Sequence, residues 1–182
     1  MAAVSLRLVV VVVVAVAVTI SVRSAAATVT VEDACRHTKH EAYCVKVLSA
    51  RPESKAAADM PALAELALSL AAESGAEAAS FVRNLEKMPG GMPPECLEGC
   101  LAKFQDAVAE LRRSKAALEE RRDAVGAKVG VSEARADGDT CMEECQKVEG
   151  GAAPDIVDRI GELGKLCAVA LALTDASMSK RP

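Results

Sequence analysis

Hydrophobic and polar positions divide this chain into one unpatterned apolar run followed by a series of helical stripes. From Leu8 to Val22 no residue is charged and Val and Ala dominate; Arg7 precedes the run, and Arg23 with Ser24-Ala25-Ala26-Ala27 closes it. Fifteen helical residues rise only ~22 Å, short of a hydrocarbon core of ~30 Å. Residues 1–27 are therefore read as a secretory signal peptide cleaved near Ala27, not as a membrane anchor. Residues 28–182 form one domain.

Within that domain the apolar positions recur at helical spacing, and no period-2 run of useful length appears. Residues 31–50 make a short helical region closed by Arg51-Pro52. Asp59 reads as an N-cap with Pro61 in the first turn, ahead of an apolar series Leu63, Leu66, Leu70, Phe81 and Leu85. Met88-Pro89-Gly90-Gly91-Met92-Pro93-Pro94 breaks the chain, after which Leu97, Leu101, Phe104, Val108, Leu111 and Leu118 mark one face of a helix reaching about Arg122. The charges at its far end, Arg112, Arg113, Glu119, Glu120, Arg121 and Arg122, read as a solvated face. Gly126 to Gly138 is ambiguous, with a helix expected to re-form before Cys141 and to end near Gly150-Gly151. Pro154-Asp155 opens a last helix with the stripe Ile156, Ile160, Leu163, Cys167 and Ala170. Short loops between long helices predict antiparallel neighbours in an up-and-down bundle.

Charge narrows the function. Losing Arg7 and Arg23 with the leader lowers the cations from 22 to 20 against 26 acids, leaving the mature chain at about −6. With two Phe, one Tyr and no Trp as well, it lacks both the cationic track and the stacking platforms that nucleic-acid binding needs. About 155 mature residues suffice for one core, and abundant Ala favours helices packed closely through small side chains.

Seven cysteines in an exported chain point to a disulfide framework. Cys96 and Cys100 lie i,i+4 on one helix face, and Cys141 and Cys145 repeat that spacing on another. If the two helices are antiparallel the pairs are nested, Cys100–Cys141 with Cys96–Cys145. A bridge closing about forty residues contributes roughly 3–4 kcal/mol in the loop-entropy model, with less from a second beside it. Four thiolates around zinc are the alternative, although such sites usually use two-residue spacing and a reducing compartment. Cys35 and Cys44 would stand ~13 Å apart along a continuous helix, so a bridge between them requires a bend. His37 and His40 fall inside that bend and read as solvent-facing, with Cys/His metal binding as the lesser reading. Cys167, on the last apolar stripe, reads as a buried free thiol.

At these residues the chain resembles the plant invertase and pectin methylesterase inhibitor family. Cys35-Arg36-His37-Thr38 followed by Cys44 resembles the family's opening Cys-x8-Cys hairpin. Cys100-Leu101 with Phe104, Asp106, Ala107, Val108 and Leu111 is similar to its next block, and Asp139-Thr140-Cys141 to its later Thr-Cys element. The likeness runs in order over residues 31–178. It implies an all-α, disulfide-stapled, up-and-down antiparallel four-helix bundle preceded by a short helical hairpin, with bridges Cys35–Cys44 and Cys100–Cys141. Lys39 stands where the family commonly has Pro, and Cys96, Cys145 and Cys167 lie outside its usual four. A Pro-Lys-Phe segment that reaches the target's active site in some invertase inhibitors has no counterpart in Asp123-Ala124-Val125-Gly126.

The resemblance implies a secreted, apoplastic inhibitor that docks on a cell-wall carbohydrate-active enzyme and occludes its cleft. Pectin methylesterase, the commoner family label, is favoured over acid invertase. Family precedent puts a methylesterase on the bundle helices and an invertase near residues 123–138. With only His37 and His40, and without Gly-x-Ser-x-Gly, His-Glu-x-x-His or a phosphate loop, no nucleophile or metal constellation can be assembled. No catalytic, cofactor-binding or metal-ligating residue is assigned, and no cofactor, nucleic-acid or, after leader cleavage, membrane partner is expected. A secreted structural, storage or ligand-carrying protein on the same scaffold is the alternative.

Overall fold

The computed structural model describes residues 29–57, 59–88, 92–121, 123–148 and 152–179. The leader at 1–27 with its cleavage near Ala27, the Pro89-Gly90-Gly91 part of the break, Arg122 and Gly150-Gly151 lie outside the described residues. Among these residues there are six α-helices and one 3₁₀ turn, with no strand: α1 Val31–Cys35, α2 Glu41–Ser49, the turn Pro52–Lys55, α3 Met60–Leu85, α4 Pro94–Arg121, α5 Ala124–Gln146 and α6 Pro154–Ser179. The four long helices pack in a ring, α3 on α4, α4 on α5, α5 on α6 and α6 back on α3, while the α1–α2 hairpin leans on α3 and α6. This is the expected all-α, disulfide-stapled, up-and-down bundle with its N-terminal hairpin.

The helix ends follow from local chemistry. Thr30 caps α1 by accepting from the Asp33 N–H at 3.1 Å, and Asp59 caps α3 through the Ala62 N–H at 3.0 Å. Pro94 and Pro154 open α4 and α6, where a missing N–H costs no helical bond. Asp123 serves two helices. Its N–H donates to the Ala117 carbonyl at 3.0 Å, closing α4, and its carboxylate accepts from the Gly126 N–H at 2.8 Å, opening α5.

That corner explains why α5 runs unbroken through Gly126 to Gly138, the stretch its sequence leaves ambiguous. Each glycine costs about 1 kcal/mol of helix propensity against Ala, and the bundle uses the space left by one of them. A Cβ on Gly130 would lie 2.3 Å from Ser114 Oγ and 3.3 Å from the Glu110 carbonyl of α4. Ser114 is buried and donates to that same carbonyl at 2.8 Å, so the helices meet here with no room for a side chain at position 130. Gly130→Ala is therefore expected to lower stability by about 1–2 kcal/mol despite its better propensity. In a Ser114→Ala background the same substitution should be neutral or stabilising; an equal drop in urea midpoint on adding G130A to either background would refute the close approach.

The inner face of α3 differs from the expected stripe. Leu63 and Leu70 are buried, but Leu66, Phe81 and Leu85 are only half-buried. Ala64, Ala67, Ala71, Ala78 and Ala79 face the core together with Leu68 and Val82, the small side chains letting the helices approach closely. Phe81 packs at the rim under Arg159, whose guanidinium stands 4.2 Å from the ring centroid. On α4, Leu97, Phe104, Val108, Leu111 and Leu118 are buried as expected and Leu101 half so; on α6 the whole expected stripe is buried.

Candidate docking face

The structure brings the cysteines together in three pairs. Cys35 is bonded to Cys44 across the hairpin with Cα atoms 5.6 Å apart, Cys96 to Cys145 at 4.7 Å, and Cys100 to Cys141 at 4.5 Å. The last two bridges touch, Cys100 Sγ lying 3.3 Å from Cys145 Sγ. Among the described residues, the one metal-like gathering of His, Cys, Asp or Glu donor atoms is Cys96, Cys100 and Cys145, and all three sulfurs are in disulfides. The hairpin bend is made without proline: Thr38 is buried and its Oγ1 accepts from the His40 N–H at 3.2 Å. His37 and His40 are exposed at that bend. The hairpin is tied to α6 by Tyr43, whose hydroxyl donates to Glu162 at 2.5 Å; burial first, and then this acidic partner, pushes the phenol's pKa upward.

Cys167 is free and buried, and burial raises its thiol to about 12. It stays protonated over the working pH range and has no access to solvent. An aromatic disulfide reagent should thus label no thiol in the native chain and one per chain in denaturant, and rapid native labelling would contradict the burial.

On the outer surface α5 carries a second stripe. Its buried positions, Ala124, Ala127, Val131, Ala134 and Cys141, face the core. Val125, Val129, Ser132 and Ala136 recur at four, three and four residues on a different face, with Val125 66% and Val129 53% exposed. With Lys128 and Glu133 they line a shallow concavity of about 510 Å³. Val129 and Glu133 also belong to a neighbouring cleft of about 340 Å³, whose α4 wall carries Glu110, Arg113 and Glu120. Arg113 is ion-paired to Glu110 on the same helix. Nearer the bridged end, Lys103 of α4 reaches Asp137 of α5 at 3.3 Å; burial lifts that carboxyl's pKa above its usual value, although the lysine pulls the other way. The arrangement is an apolar centre with a charged rim on two helices locked to each other by two bridges. Such a surface suits a protein partner.

In the sequence, residues 123–138 stand out only as the family's invertase-facing region, and nothing there by itself singles out Val125 and Val129. Their mutual spacing was a usable signal, but it acquires meaning only once Ala127 and Val131 are known to face inward.

A hairpin leaning on a ring of four antiparallel helices, stapled within the hairpin and across the bundle, defines a rigid helical scaffold with an outward-facing apolar stripe. The family model for plant invertase/pectin methylesterase inhibitors matches residues 29–173, and the chain belongs to that family. It is thereby an inhibitor-type protein directed at enzymes of the pectin methylesterase and invertase kind. Among solved structures the chain is similar to mutant form A of a pectin methylesterase inhibitor from Arabidopsis, 22% identical with a TM-score of 0.64 over 78% of this chain and 92% of that one. It is also similar to a pectin methylesterase inhibitor from Arabidopsis thaliana, 20% identical with a TM-score of 0.58 over 81% and 95%. At these identities the likeness is one of fold. No curated protein sequence matches. No helix among the described residues is long and apolar enough to cross a membrane.

Proposed function

We propose that this chain is a secreted inhibitor that docks on a pectin methylesterase and occludes its substrate cleft, with the exposed α4–α5 surface around Val129 as the contact, because residues 124–146 are here a bundle helix, the kind of element the family resemblance gives to a methylesterase. The observation that carries the reading is the family match over 29–173, within which α5 presents an apolar stripe left exposed among the described residues. Both solved relatives above are inhibitors of pectin methylesterase, which favours that target over invertase. Residues 1–27 supply the export signal and place the mature domain in the apoplast. In that oxidising compartment the bridges Cys35–Cys44, Cys96–Cys145 and Cys100–Cys141 hold α4 and α5 in register, so docking orders little that was mobile before. No catalytic group of the chain takes part, since occlusion needs only shape and rigidity.

The test mixes the oxidised mature chain with a plant pectin methylesterase and, separately, with an acid invertase, in mildly acidic buffer. Stoichiometric loss of methylesterase activity with a stable complex is the expected result. Loss of invertase activity alone reverses the target, and no complex with either enzyme overturns the proposal.

A further inference from the structure

The cleft where the hairpin meets α5 and α6 has a charge opposite to that of the chain. It encloses about 600 Å³; His37, Lys39 and His40 of the hairpin bend stand on one wall and Arg135 of α5 on the other. Between them the floor is apolar, made by Ala168, Leu171, Ala172 and Ala176 of α6. The cleft has one carboxylate, Asp175, and Lys128 already neutralises it at 2.5 Å. None of the side chains of His37, Lys39, His40 and Arg135 has a hydrogen bond or ion pair among the described residues. On a chain of net charge −4 this leaves a concentrated set of unpartnered donors around an open, partly apolar strip.

We propose that this cleft binds the carboxylates of a short acidic oligosaccharide, an oligouronate. Cations on two facing walls with an apolar floor between them fit an extended ligand bearing anionic groups along its length, better than a single compact ion. Arg135 offers a planar fork that matches a carboxylate, Lys39 a point charge, and each imidazole a ring N–H in either protonation state. The CH faces of pyranose rings can lie on the alanine and leucine floor, while the hydroxyl of Ser179 at the rim meets ligand hydroxyls. The choice of a uronate among carboxylates rests on the proposed function, because removing methyl esters from pectin leaves uronate carboxylates. The cleft shares no residue with the stripe around Val129, so the chain can hold de-esterified polymer and enzyme at once.

The test is titration of the isolated mature chain, with no enzyme present, by calorimetry and by amide NMR. Ligands are an oligogalacturonate, its fully methyl-esterified form, a glutamate trimer and inorganic phosphate. The expected result is saturable binding of the oligogalacturonate alone, with shifts confined to residues 37–40 and the surroundings of Arg135. Lys39→Ala with Arg135→Ala should weaken that binding by about tenfold or more, since both lost contacts are charge-assisted, while inhibition of the enzyme is unchanged. Absence of binding, equal binding of the ester, the glutamate trimer or phosphate, or unaltered affinity of the double variant overturns the proposal. Each of those outcomes leaves the inhibitor reading intact.

Discussion

Replacing Cys96, Cys100, Cys141 and Cys145 together by alanine is expected to lower stability by about 6 kcal/mol, enough to unfold a domain at the lower end of the usual stability range, whereas replacing either bonded pair alone costs about 2.5 kcal/mol. The asymmetry follows from nesting. Cys100–Cys141 spans 41 residues and Cys96–Cys145 spans 49, so either bond alone closes the long loop through the α4–α5 corner. In the chain-entropy model that closure is worth about 4 kcal/mol, while the second bond beside it closes only a ring of about eight residues. Alanine is the right replacement because all four positions are buried and a serine hydroxyl there would need a partner. Urea unfolding of the two pair variants and the quadruple variant reads the effect. Strict additivity, or collapse on loss of one pair, would show that the bridges do not share one loop. Non-reducing peptide mapping should recover the same two pairs, digested in acid because the contact between Cys100 and Cys145 invites exchange wherever a thiolate is present.

What could be read from the sequence was decided by side-chain size and by punctuation. On α4 large apolar residues at four-three spacing mark the inner face, and Phe104 and Leu111 are fully buried there. On α3 the same rule picks out the wrong large residues, because a row of alanines shares the inside with Leu63, Leu68 and Val82 while Phe81 is left at the rim under Arg159. In a sequence this rich in alanine, an Ala stripe does not stand out against its background. The α5 helix was hidden by its glycines, whose cost to an isolated helix is real but whose missing Cβ at Gly130 is what admits Ser114. The nested cysteines were legible because two identical i,i+4 spacings on antiparallel helices allow one register. The cleft at the hairpin was not, since His37, Lys39 and His40 meet Arg135 only after α6 brings residues about a hundred positions apart to one place.

The docking face yields the sharpest functional expectation: Val125→Glu with Val129→Glu should weaken inhibition by about 100-fold or more while leaving the fold unaltered. Val125 and Val129 stand on the outside of α5 and support none of its core contacts, so glutamate at either position needs no repacking. In the proposed complex the same side chains would sit at the centre of the contact, where water is excluded and a buried charge finds no partner. Two such losses of about 1.4 kcal/mol each multiply to the stated factor. Val157→Glu is the matched control: that valine is 42% exposed on α6, where the proposal expects no contact, and its substitution should leave inhibition unchanged. Thermal unfolding and inhibition titrations on the three chains separate the possibilities. If V157E weakens inhibition as much as the double variant, the contact lies elsewhere on the bundle; if the double variant inhibits normally, the α5 stripe has no part in it. The result also bears on the bridges, because a face built on α4 and α5 should lose affinity when the quadruple cysteine variant releases those helices, even under conditions where part of the population stays folded.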